Sequence, residues 1–97
     1  MEPIEWKTEI RKISDLIPFP KNPRQMTEKQ VEDLRRSIEK FNLVEIPAVN
    51  TDGTIIAGHQ RLKIMALLGR GSEEIDVRIP NRMLTEEEVS EYCVRSN

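Results

Sequence analysis

Thr54-Ile55-Ile56-Ala57-Gly58-His59-Gln60-Arg61 passes from an apolar strand into a helix across a single glycine. There is no room for a loop, so the start of the helix is fixed at the end of the strand. The helix continues through Leu62, Met65, Ala66 and Leu68, its expected apolar positions, and Gly69 ends it. The first N–H groups of a helix have no carbonyl within the helix to receive them, and the helix dipole makes that end electropositive. Gly58 permits close backbone approach, and the Arg61 guanidinium sits in the first turn. The ligand suited to such a helix start is an anion, most often a phosphate.

Charge distribution points to the same place. The net charge of −2 argues against a strongly basic nucleic-acid sleeve. Residues 53–72, however, carry Arg61, Lys63 and Arg70 and no carboxylate, whereas residues 73–97 carry seven acidic groups and three basic ones. The bland alternative for the acid-free stretch is a short solvated basic face. With 37% hydrophobic and 33% charged residues, the 97-residue chain reads as one small, soluble globular domain over 1–97. No apolar run approaches the roughly 20 residues of a membrane span. The N-terminus shows no secretory pattern, and the one cysteine, Cys93, fits a reducing, cytoplasmic setting.

The remaining elements follow in order. Trp6, Thr8 and Ile10 half-alternate as a first strand, and residues 14–17 form a turn or a single helical turn. Pro18-Phe19-Pro20-Lys21-Asn22-Pro23-Arg24 is a stiff extended loop suited to placing Arg24. Thr27 to Gln30 is a capping box, followed by a helix of about 14 residues with Val31, Leu34, Ile38 and Phe41 on one stripe. Residues 46–50 and 54–57 are strands joined by a two-residue Asp52-Gly53 turn. Residues 75–79 alternate as a fourth strand. Thr85 to Glu88 caps a last helix with Val89, Tyr92 and Cys93 inward. The plan is α+β, a small mixed β-sheet with about three packed helices. A helix that reaches the last residues without a C-cap signal suggests the N-terminal part of a longer protein.

Familiar catalytic patterns are missing. One His and one Cys cannot make a His/Cys metal cluster, and neither GxGxxG nor a P-loop occurs. His59 has no nucleophile-elbow motif to serve, and an inward-facing Cys93 is packed rather than reactive.

Two pieces remain: Asn22-Pro23-Arg24 and Gly58-His59-Gln60-Arg61. Their order, with a capped helix ending near Asn42-Leu43, then Ile46-Pro47, a hairpin and Ile55-Ile56-Ala57-Gly58, resembles the ParB/sulfiredoxin superfamily over roughly residues 8–97. The resemblance implies a ParB N-terminal-like fold and a nucleotide or phosphate site formed by Asn22, Arg24, Ala57, Gly58, His59, Gln60 and Arg61. It implies a nucleoside triphosphate, CTP or ATP, with Mg²⁺ as ligand. DNA and a partition or DNA-modifying protein are the implied partners, a homodimer the implied assembly, and partition, modification or phage-related processes the setting.

The chain departs from that pattern in instructive ways. Partition proteins usually show Gly-Glu-Arg-Arg where this chain has Gly58-His59-Gln60-Arg61. Sulfiredoxins carry their reacting cysteine at the position of His59, so sulfinic-acid reduction is not expected. Of the partition proteins' Glu-Asn-Ile-Gln-Arg segment only Asn97 has a counterpart. These substitutions resemble the phage and methyltransferase-associated branch and favour binding over catalysis. A metal-dependent nuclease or nucleoside triphosphatase is the enzymatic alternative, and a non-catalytic protein-interaction module is the third. For Arg61 the plain alternative is a surface arginine paired with Glu73 or Glu74.

Overall fold

Alternation in Ile75-Asp76-Val77-Arg78-Ile79 places the strand on which the sheet is built. The computed structural model describes residues 3–21 and 25–96, so Asn22, Arg24 and Asn97 lie outside the described residues. The elements are β1 (Trp6–Lys12), a 3-10 turn (Ile13–Asp15), α1 (Glu28–Phe41), β2 (Ala48–Val49), β3 (Ile55–Ala57), α2 (His59–Leu67), β4 (Glu74–Pro80) and α3 (Glu86–Ser96). Strand order is β1-β4-β2-β3. β4 pairs antiparallel with β1 from Trp6↔Pro80 to Lys12↔Glu74, and parallel with β2 at Ala48↔Arg78. β2 and β3 are antiparallel, so the sheet is mixed as expected.

Successive residues of a strand face opposite sides, and the core divides accordingly. Val49, Ile55, Val77 and Ile79 pack with Ile38 of α1 and Leu62, Ile64 and Met65 of α2. Ala48 and Ile56 pack instead with Leu84 and with Val89 and Cys93 of α3. A sheet covered on both faces has no need of polar alternation, which is why β3 reads as a continuous apolar run. The buried Asn50 ties the two halves together. Its amide donates to Leu84 O at 3.0 Å, and its Oδ1 accepts from Leu84 N at 2.9 Å.

Both expected capping boxes form. Gln30 N donates to Thr27 Oγ1 at 3.2 Å while Thr27 N donates to Gln30 Oε1 at 2.9 Å, and Glu88 and Thr85 repeat the exchange. Three local readings need correction. The β2–β3 connection is not a two-residue turn: Gly53 N donates to Asn50 O at 3.0 Å, and Gly53 has φ 92°. The extra residue goes with a register shift between the strands, the signature of a turn followed by a left-handed bulge position. Phe41 is 62% exposed because α1 ends at it, and its ring lies under the Lys40 ammonium, 5.2 Å from the centroid. Tyr92 is partly exposed, its ring 6.3 Å from that of Trp6 across the edge of the sheet.

In α2 the apolar positions were only partly anticipated. Ile64 is buried and Ala66 exposed, since α2 packs against α1 as well as the sheet. Among the described residues no helix is long and apolar enough to cross a membrane.

Candidate functional site

β3 delivers the chain to Gly58, which turns it into α2 with φ 95° and ψ 17°. A side chain is disfavoured here twice over: the backbone is left-handed, and a Cβ would lie 3.2 Å from Pro47 Cβ. Pro47 is buried against this turn, so the segment between α1 and β2 forms one wall of the site. Unlike α1 and α3, α2 begins at a residue that has no side chain with which to cap it. Its first intrahelical backbone bond is that of Leu62 N to Gly58 O at 3.0 Å. The N–H groups of residues 59–61 stand at the positive end of the helix with no acceptor inside it.

Beside this turn is an open cleft of about 610 Å³ between α1 and the 43–47 segment. Ala57, Gly58, Gln60 and Arg61 line it from one side, and Asp33 and Glu45 from the other. Four of the residues singled out from the sequence thus meet in one place. His59, the fifth described member, does not line that cleft. Its side chain turns the other way, into a second cavity of about 600 Å³ between the same helix start and Phe19, Met26 and Val31. Asn22 and Arg24 lie outside the described residues.

The electrostatics differ from the sequence pattern in one respect. The acid-free stretch is not acid-free in space, because Arg61 Nη1 lies 3.5 Å from Glu45 Oε2. Glu73 is bonded to Arg70 and therefore does not serve Arg61. Sequence reasoning missed Glu45, and no local signal could have found it: 16 positions separate it from Arg61, and only the packing of Pro47 on Gly58 joins them.

His59 is 7% exposed, and neither ring nitrogen has a well-formed hydrogen bond among the described residues. Burial holds the imidazole below its ordinary value; the nearby backbone of Ile55 opposes this only in part. The ring is therefore neutral near pH 7. Cys93 is fully buried, its Sγ 3.2 Å from Ile56 O, and burial pushes the thiol upward.

Among the described residues there is no group of three or more His, Cys, Asp or Glu placed to hold a metal. The two carboxylates on the cleft each face a cation, Asp33 the ammonium of Lys29 at 2.9 Å and Glu45 the guanidinium of Arg61. These residues do not make a protein cage for Mg²⁺.

This mixed sheet, with the glycine-started helix at its edge, is the fold of ParB N-terminal domains. A C-terminally truncated chromosome-partitioning protein ParB from Caulobacter crescentus, complexed with CTP-gamma-S, matches over 91% of this chain and 51% of its own, with 24% identity and a TM-score of 0.74. Two structures of a pNOB8-like ParB N-domain match over 95% of this chain at 20% and 21% identity, each with a TM-score of 0.70. The chain spans only 36% and 33% of those two proteins. No protein-family model matches the sequence, and no curated protein matches it.

Proposed function

We propose that this chain is a ParB-like, DNA-associated domain that binds a phosphate-bearing ligand at the start of α2. The ligand is a nucleoside triphosphate, CTP or ATP, or a phosphate of DNA. Partition, modification or phage-related processes are the setting. The observation that carries the reading is the turn at Gly58, which exposes the positive end of α2 to a cleft lined by Gln60 and Arg61. The likeness in fold to a partition protein complexed with a CTP analogue supports a nucleotide in particular.

Gly58 lets phosphate oxygens approach the backbone, the N–H groups of 59–61 donate, and the Arg61 fork supplies charge. Magnesium accompanying the ligand would draw most of its oxygens from phosphate and water, as this ion commonly does. Asp33 and Glu45 are the nearby carboxylates available to it. Binding, rather than hydrolysis, follows from these groups.

Calorimetry with CTP, ATP and a short DNA duplex, each with and without Mg²⁺, tests the proposal. Saturable binding weakened at least about tenfold in Arg61→Ala supports it, as expected for loss of charge-assisted hydrogen bonds. A folded protein that binds none of these ligands overturns it.

A further inference from the structure

β1 forms an edge of the sheet: β4 pairs with it on one side, and among the described residues no strand pairs with it on the other. Asn81 N donates to Glu5 O at 2.8 Å and Ile13 N to Glu73 O at 3.0 Å, so the ladder runs on past both ends of the strand. Backbone groups of Glu5, Lys7, Glu9 and Arg11 therefore point at β4, and those of Trp6, Thr8 and Ile10 point outward. Ile10 O, outside the ladder, accepts instead from Arg11 Nη1 at 3.1 Å. An open edge is a template for a further strand, and charged side chains are its usual protection. On β1 the order of the charges favours one partner, a second copy of the same strand.

We propose that two copies of this chain join antiparallel along β1, with Thr8 of each opposite Thr8 of the other. Glu5, Lys7, Glu9 and Arg11 share one face and alternate in sign. In this register Lys7 meets the partner's Glu9 and Glu5 meets the partner's Arg11, each contact occurring twice by symmetry. All four fall at non-hydrogen-bonded positions of the new pair, where facing side chains come closest. Within one chain Glu9 already joins Lys7 at 2.8 Å and Arg11 at 2.6 Å, so pairing extends an existing row of charges. On the other face Ile10, 60% exposed in the single chain, meets the partner's Trp6. The neighbouring registers lie two residues away, because a slip of one turns every side chain to the wrong face. One sets Lys7 against Arg11 and Glu9 against Glu9; the other sets Lys7 against Lys7 and Glu5 against Glu9. A further slip toward Ile10 opposite Ile10 matches Glu9 with Arg11 but sets Lys7 against Ile13, which is buried in the core. β3 and the Gly58 turn lie at the opposite edge of the sheet, so the pairing leaves both clefts open and is independent of the phosphate reading.

Sedimentation velocity from about ten micromolar to about one millimolar chain reads the assembly, and amide exchange by NMR reads the interface. A concentration-dependent dimer is expected. In the unaltered protein the outward amides of Trp6, Thr8 and Ile10 gain protection as concentration rises, while those of Lys7 and Glu9, already bonded to β4, change little. Lys7→Glu or Glu9→Lys alone sets like charges opposite each other twice and weakens the dimer at least about tenfold. In an equal mixture of the two variants the altered charges face each other and are complementary again, so a mixed dimer re-forms with about the original affinity. A chain that stays monomeric throughout, a dimer without new protection at Trp6, Thr8 and Ile10, a dimer that neither variant weakens, or a mixture that fails to restore it overturns the proposal.

Discussion

Arg61 and Glu45 face each other across the cleft beside Gly58, Nη1 to Oε2 at 3.5 Å, with both side chains well exposed. Such a pair contributes only about 0.2–1 kcal/mol in water. It nevertheless occupies the guanidinium that an incoming phosphate needs, so a ligand must displace Glu45 to take it. If phosphate binds as proposed, Glu45→Gln is expected to tighten tripolyphosphate binding about 1.4- to fivefold at low salt, the range given by that pair energy. The gain should shrink as salt rises, since the pair is solvated. Weaker binding in Glu45→Gln would identify the carboxylate as a contact to ligand or magnesium instead.

Gly58 is tested through stability as well as binding. With φ at 95°, a side chain meets the left-handed penalty of roughly 1–2 kcal/mol. Its Cβ would also lie 3.2 Å from Pro47, tight enough that the proline must yield. Gly58→Ala is therefore expected to lower the urea midpoint by an amount equal to about 1–3 kcal/mol, with an unchanged slope. Gly69→Ala makes the contrast: it has φ 77° but nothing within 4 Å, so it should show the backbone penalty alone. If the two variants lose the same stability, the close approach of Pro47 is not a constraint.

What the sequence made legible was whatever is local. Thr27 and Thr85 announce their helices because each capping box closes within four residues. Gly58 announces the start of α2 because one glycine joins strand to helix. The Asp52-Gly53 turn misled because a bulge depends on how β2 registers on β3, and Phe41 misled because periodicity does not say which neighbour is present to cover a helix end. Asn50 reaches Leu84 over 34 positions, and Glu45 reaches Arg61 through a packed proline, so neither contact was readable beforehand. His59 lies in the same helix turn as Arg61, but the two residues of helical rotation between them, about 200°, turn its ring away from the cleft that Arg61 lines.

The same burial makes His59 a stability sensor. Its folded-state pKa is depressed below 6.5, chiefly by desolvation. The unfolded chain, with an ordinary histidine, therefore binds the proton more readily, and protonation favours unfolding. Stability is fully present above the unfolded value near 6.5 and declines as pH falls from there toward the depressed folded value. Denaturation midpoints measured from pH 7.5 down to 5 should show this slope, and His59→Leu should flatten it. The window is separate from that of Glu88, whose carboxyl is held down to about 2 by Arg82 and then by the Thr85 backbone. A variant as steep as the original protein would assign the slope to other groups.

Cys93 supplies a probe of the opposite face of the sheet. It has no exposed surface, it packs with Ile56 and Val89, and burial keeps its thiol protonated. Since the thiolate is the reactive form, maleimide should label the native protein only through opening of α3. Ile56→Ala leaves the cysteine in place but removes fully buried apolar volume beside it, a change of roughly 2–5 kcal/mol in comparable cores. Where opening is in rapid equilibrium and coincides with global unfolding, labelling should accelerate by about thirtyfold or more, in step with the loss of stability measured by urea. Rapid labelling of the unaltered protein, unaffected by Ile56→Ala, would mean that the thiol is reached without opening and that α3 does not seal this face.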